Sequence, residues 1–305
     1  MKRYVIRRAG LSMLTLGVVI TATFFVLRLV GDPAAAIAGE GAPQAAIAKV
    51  RHDFGFDRPI MVQYGDFLKG LVHGDLGVTQ YYKAPVLDVI GQRIPYTLEL
   101  AAAALALSVI VAVIGGSLAA ARRGSRLDKT ILAICAAGQS IPHFVLGPIL
   151  IFVFAVTVNW LPVSGASSPS ALVLPAITLA SFPATRLMPV LRTSMVEVFQ
   201  VQFVQAARAR GLRDSTILSR HVLRNALLPF ISVLGLQIVD LLGGAIITET
   251  VFGWPGVGSL MRSAIVDSDY QLVLGLVGVF AFAVLVVNLL TDLAYGAADP
   301  RIRYR

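Results

Sequence analysis

The sequence predicts an all-α integral membrane protein with six transmembrane helices and both termini in the cytoplasm. Of its 305 residues, 56% are hydrophobic and only 14% charged, with a mean hydropathy of +0.77, whereas soluble domains average about 45–50% apolar residues. Its long apolar runs reach the roughly 20 residues that a bilayer core demands. Its basic residues gather beside alternate gaps between those runs, the bias that marks cytoplasmic loops. The net charge of +9 is therefore a topology signal and not a nucleic-acid surface. The single cysteine, Cys135, lies in an apolar run and excludes an intrachain disulfide. His52, His73, His143 and His221 are scattered without ligand spacing, so no metal site is expected.

Met1 to Arg8 carries Lys2, Arg3, Arg7 and Arg8 and is placed at the cytoplasmic surface, followed by a first span over Leu11–Val30. Ala36-Ile37-Ala38 offers a nominal signal-cleavage site. The apolar run exceeds the roughly 7–15 residues of a signal peptide, which favours a retained anchor. Arg28 near its outer end is placed to snorkel. Residues 31–95 form a long extracytoplasmic segment, with a short helix expected at Ala45–Phe54 and turns at Phe54-Gly55-Phe56-Asp57-Arg58-Pro59 and Gly74-Asp75-Leu76-Gly77. A segment of this length has structure or function of its own: a lid on its own subunit, or a contact for a binding protein.

The second span, Thr97–Ala121, repeats small residues every four positions at Ala104, Ser108, Ala112, Gly116 and Ala120, a stripe that admits a neighbouring helix closely. Arg122, Arg123, Arg126 and Lys129 mark an inner loop, and Thr130–Val158 is the third span, kinked at Pro142 and Pro148. Leu161–Pro169 carries no charge and forms an outer loop; Leu172–Leu191, with Pro175, Pro183 and Pro189, is the fourth span. Leu227–Ile247 is the fifth, Thr248–Tyr270 an outer loop, Gln271–Ala294 the sixth, and the basic tail Asp299–Arg305 returns inside.

Between the fourth and fifth spans lies a charged cytoplasmic segment, residues 197–229, with Arg208, Arg210, Arg213, Arg220 and Arg224 against Glu197 and Asp214. Val196 to Gly211 contains no proline and no internal glycine, so a continuous helix is expected there. Gly211 stops it as a left-handed cap, and Asp214 is placed to cap the next, short helix, which ends at Pro229. Ala206, Ala207 and Ala209 present a low surface, suited to close approach by another protein.

The string Gln205-Ala206-Ala207-x-x-x-Gly211, followed by Leu228-Pro229, resembles the EAA loop of ABC importer permeases, which seats in a cleft of the ATPase subunit; Gln205 stands where the motif name has glutamate. The fuller string Ala206-x-Arg208-Ala209-Arg210-Gly211-Leu212 with Arg220–Pro229 is similar to the dipeptide/oligopeptide permease family. So are Glu249–Gly258, the turns at 54–59 and 74–77, and the Asp299–Arg305 tail. The resemblance implies the type I ABC importer permease fold in a bacterial inner membrane. It divides the chain into an anchor with its outer segment (1–95) and a five-helix permease core (96–305). It implies a homologous permease partner, two ATP-binding subunits or domains that carry ATP and Mg, and an extracytoplasmic binding protein. Gln205, Ala206, Ala207, Arg208, Arg210, Gly211 and Leu212 would couple to the ATPase, and Phe252, Trp254 and Pro255 would meet the binding protein. The same importer class with nickel, glutathione, heme or another small solute as cargo stays open, as does a stand-alone secondary transporter or channel.

No GxxxxGK[ST], HExxH or GxSxG string occurs, so no nucleotide or hydrolytic chemistry and no cofactor are expected on this chain. Asp240 lies well inside the fifth span, on one helical face with Gln237, Gly244 and Thr248. Ionisable groups at such depth face a cavity or a partner. Asp240 departs from the small residue of the resembled family, and two readings stand: it lines the translocation path and attracts a substrate amine, or it is a protonated or helix-paired structural aspartate. Arg186 and Asp292 either snorkel or pair with each other.

Overall fold

The computed structural model describes residues 2–39 and 41–298, with side chains described for 8, 10–29, 31–39, 41–142 and 144–291. The Asp299–Arg305 tail and the side chains of Lys2, Arg3, Arg7 and Asp292 lie outside the described residues. The described residues are mostly α-helical: α1 (Lys2–Val30), α2 (Pro33–Ala38), α3 (Gln44–Asp53), α4 (Ile60–Val72), α5 (Val86–Ala121), α6 (Arg126–Ser140), α7 (His143–Leu150), α8 (Val173–Phe199), α9 (Gln202–Ala209), α10 (Asp214–Thr216), α11 (Arg224–Phe252), α12 (Val257–Val266) and α13 (Tyr270–Ala298). Among the described residues, five helical stretches are long and apolar enough to cross a membrane: Gly10–Leu29, Val86–Ala121, Pro169–Phe199, Asp214–Phe252 and Tyr270–Thr291. The bent pair Arg126–Ser140 and Phe144–Thr157 makes a sixth if it is one span. The expected third span is therefore broken, at Ile141-Pro142, where Pro142 leads α7 in with an extended backbone.

Two compact units divide the chain, Met1–Thr97 with Pro255–Val286, and Leu98–Trp254 with Val287–Arg305. In the first unit, Val86, Val89 and Ile90 at the start of α5 bury against Val257, Leu260 and Ala264 of α12 and Leu272 and Leu276 of α13. The segment 31–95 carries three helices of its own; α3 matches the expected helix at 45–54, and Gly55, Gly74 and Gly77 turn the chain with φ of +68°, +75° and +82°. Its α4 packs on α1 through Phe24 and Phe67, stacked at 5.5 Å, and Tyr64 Oη lies 2.7 Å from Thr21 Oγ1. Asp269 is fully buried and ties the unit together: Oδ2 accepts from the backbone N–H groups of Gln80 and Tyr81 at 2.8 and 3.2 Å, and Oδ1 caps α13 through Leu272 N at 3.1 Å. The loop expected at 248–270 is thus mostly helix, with α11 running to Phe252 and α12 filling the interior.

In the second unit α8 is central, packed by α6, α7 and α11. The small stripe of α5 is buried at all five positions. A Cβ added at Gly116 would lie 3.0 Å from the carbonyl oxygen of Met188 and 3.2 Å from Leu191 Cβ, so the stripe admits α8 as its spacing predicts. Pro189 inside α8 cannot donate to the carbonyl of Thr185. Gln139 of α6 supplies the missing donor, its Nε2 donating to Thr185 O at 3.0 Å, the repair that a proline requires inside a membrane.

Candidate functional site

The charged segment departs from the expected continuous helix. α8 ends at Phe199, Val201 is extended (φ −73°, ψ 143°), and α9 restarts at Gln202. No proline or glycine causes this break; packing does. Val204 and Ala207, spaced to share one face of α9, bury in the core with Leu191, Met195, Val196, Ile217, Val222 and Ala226. A helix run straight on from α8 would not return them there. Ala207 is thus an inward-facing residue, a correction to its expected place on an outer docking face.

The other face of α9 is free. Gln205, Ala206, Arg208, Ala209, Arg210, Gly211 and Leu212 are all exposed. Gly211 adopts φ +77°, and the cap is a double one: Gly211 N donates to Arg208 O at 2.9 Å and Leu212 N to Ala207 O at 3.3 Å, the Schellman pattern. Asp214 does not cap the next helix. It is the first residue of α10, without a side-chain cap bond, and pairs at 3.4 Å with Arg208 Nε, both groups exposed. The expected short second helix is likewise absent as a separate element. α10, a π-helical stretch (Ile217–Leu223) and α11 run on as the single rod Asp214–Phe252, with Pro229 inside it.

A second arrangement holds α8 just before the break. Arg192 grips Asp128 in a two-pronged pair, Nε to Oδ1 at 3.1 Å and Nη2 to Oδ2 at 2.6 Å. Asp128 is 3% exposed and also accepts from Gly124 N at 2.9 Å, while its own N–H donates to the Ser125 Oγ at 3.3 Å. The loop at 122–126 is thereby fastened to α8. Sequence reading passes over this pair. The signal present was Ser125-x-x-Asp128, a helix-start pattern of the capping-box kind.

The polar face of α11 divides. Gln237 and Thr248 are buried, and Thr248 Oγ1 donates to Gly244 O at 3.0 Å. Asp240 is half-exposed and pairs with Arg186 of α8, Nη1 to Oδ2 at 3.3 Å, while Gln237 Nε2 approaches the same oxygen at 3.4 Å. The guanidinium of Arg186 stacks on Phe182, 4.2 Å from the ring centroid. Asp240 and Gly244 border a shallow depression with Leu179, Phe182, Pro183 and Leu241. Among the described residues Arg186 pairs with Asp240; the Asp292 side chain lies outside them. Both charges lie deep in apolar helices and both reach the surface of this unit, where an ion pair marks a cavity or a partner.

Phe252 and Trp254 are corrections. They are 1% and 2% exposed, Phe252 packed with Ala155 and Leu174 and Trp254 with Leu100, Ala104 and Leu241. Gly253 ends α11 in the left-handed conformation (φ +58°), which folds both rings inward. Both rings therefore face the interior of this unit. Pro255 is partly buried, its carbonyl 3.5 Å from Arg93 Nη1.

Two family matches cover nearly the whole chain. Residues 112–304 match the binding-protein-dependent transport system inner membrane component, and residues 1–101 match the N-terminal part of the same transport-system membrane component. The glutathione transport system permease protein GsiC of Pectobacterium atrosepticum is 37% identical over 306 residues, covering 100% of both chains. The probable peptide ABC transporter permease protein y4tP of Sinorhizobium fredii is 36% identical, covering 99% of both. Among solved structures, the inward-facing MetNI methionine ABC transporter superposes with a TM-score of 0.59 at 18% identity, over 70% of this chain and 97% of that one. That likeness is one of fold.

Proposed function

We propose a cargo and a coupling route for this chain, which belongs to the binding-protein-dependent transport system inner membrane component family. Membership makes it the permease subunit of an ABC importer in the inner membrane, working with ATP-binding and substrate-binding partners, with ATP hydrolysis on the partners. It also sets aside the stand-alone transporter.

The proposed cargo is a short peptide, from dipeptides to oligopeptides, with glutathione included as a tripeptide. The observation that carries it is the full-length similarity, at 36–37% identity, to permeases named for peptide and for glutathione transport. The Arg186–Asp240 pair supports it chemically. An opposite-charge pair half-open to the depression at Leu179, Pro183 and Gly244 complements a solute that carries both a carboxylate and an amine. In this reading a homologous permease closes the path beside α8 and α11, and two ATP-binding subunits or domains dock inside, on the exposed face of α9 at Gln205, Ala206, Arg208, Arg210, Gly211 and Leu212. Closure of the ATPases pushes α9. Because Val204 and Ala207 root α9 in the core that also holds Leu191 and Met195, the push reaches α8. The test is uptake by the reconstituted importer of dialanine, trialanine, glutathione and nickel, each with its loaded binding protein. Peptide or glutathione uptake, with no nickel uptake, is expected; nickel uptake alone would overturn the reading.

A further inference from the structure

A cavity of about 400 Å³ lies within the first unit, between the end of α1, the 54–58 turn, α4, the 75–80 turn and the start of α13. That size suits a small ligand. Arg28 lines it, in the last turn of α1 and at the end of the apolar stretch Gly10–Leu29. Its guanidinium lies 5.4 Å from the ring centre of Phe24 and 4.6 Å from that of Phe56. Such stacking occupies a face of the guanidinium and leaves its in-plane N–H donors for an acceptor. Among the described residues no carboxylate pairs with Arg28. A cation held by aromatic rings at the edge of the hydrocarbon, with no carboxylate partner among the described residues, is a place for a ligand's anion.

A second observation points the same way. Gln63 lines the same cavity, and its Nε2 donates to Phe56 O at 3.2 Å and Arg58 O at 2.9 Å. Those bonds fix the amide, and they leave Oε1 shielded from solvent with no donor. Buried acceptors are ordinarily satisfied, so this one awaits an N–H. Asp66 also lines the cavity, paired with Arg58 Nη1 at 3.4 Å, as does Asp75, whose Oδ1 accepts from Gly77 N at 2.8 Å; Phe54 and Phe67 supply apolar wall.

We propose that this cavity binds a zwitterion, its anionic group on Arg28 and its primary ammonium toward Gln63 Oε1 and Asp75. Two sources share that chemistry: the head group of an aminophospholipid and a soluble short peptide. The assembled importer in phosphatidylcholine nanodiscs separates them, with phosphatidylethanolamine retention read by native mass spectrometry and trialanine binding by equilibrium dialysis, both without binding protein. Arg28→Gln lowers binding of at least one probe about tenfold, a loss of roughly 1.4 kcal/mol. Arg28→Lys recovers part of it, since the charge remains and only the planar fork is lost. Loss confined to phosphatidylethanolamine assigns the lipid; loss confined to trialanine assigns the peptide. Phe56→Leu, which keeps Arg28 and removes one ring, weakens the same probe and serves where Arg28→Gln fails to assemble. Unchanged binding of both probes in an assembled Arg28→Gln or Phe56→Leu importer overturns the proposal.

Discussion

Arg192 and Asp128 lock the loop at 122–126 to α8 seven residues before α8 ends at Phe199, through two hydrogen bonds of 3.1 and 2.6 Å around a carboxylate 3% exposed. The pair therefore fixes the root from which the exposed face of α9 projects. Removing one partner leaves the other charge poorly solvated.

Asp128→Asn and Arg192→Gln each lower the thermal stability of the purified importer, and the double variant is little worse than either alone. The interaction energy from that cycle is expected at about 1–3 kcal/mol. Thermal unfolding of the single and double variants measures it; full additivity removes the lock.

Gln139→Leu strips the donor from the Thr185 carbonyl that Pro189 leaves open. The cost is expected at roughly 1 kcal/mol, as a lowered midpoint. Gln139→Leu in a Pro189→Ala background should cost less, because the helix then supplies its own donor.

Asp240→Asn weakens uptake of free-amine peptides while the complex still assembles. Because Arg186 is its partner, Arg186→Gln weakens uptake of peptides with a free carboxyl terminus. Initial rates for trialanine and its end-blocked forms test both; equal rates across these cargos in both variants would leave the pair a purely structural one.

The topology follows from the charges. In intact cells on a Cys135→Ser background, an impermeant thiol reagent is expected to label a cysteine at position 65 and to spare one at 205. The reverse pattern inverts the orientation.

Much of this was readable in the sequence for physical reasons that local residues carry. The Ala104–Ala120 stripe announced a close helix contact through spacing alone, and Gly211 announced a left-handed cap because few other residues take φ +77°. What escaped was tertiary. The break at Val201 has no local breaker; it follows from burying Val204 and Ala207. Pro95 read as the end of a loop, yet α5 runs through it from Val86. Phe252 and Trp254 read as a contact through the family resemblance of an expected outer loop; the left-handed turn at Gly253 ends α11 there and both rings are buried. The Arg186–Asp240 partnership spans 54 residues, and no short-range pattern encodes it.

The central claim is that the exposed face of α9 transmits force from the ATPases. Ala206 is exposed and Ala207 is 8% exposed, so the two neighbours separate docking from folding: Ala207→Trp overpacks the core, at a cost of about 1–3 kcal/mol, whereas Ala206→Trp adds its ring outside. Gly211→Val is a second probe. A Cβ there meets nothing within 4 Å, so its cost is backbone strain alone, roughly 1–3 kcal/mol. The direct measurement is peptide uptake and ATP hydrolysis stimulated by loaded binding protein, in proteoliposomes carrying Ala206→Trp or Gly211→Val importer, with subunit assembly checked by co-purification. The account predicts a folded permease that keeps its permease partner while both uptake and stimulation fall. Uptake and stimulation at the wild-type rate in both variants would contradict it.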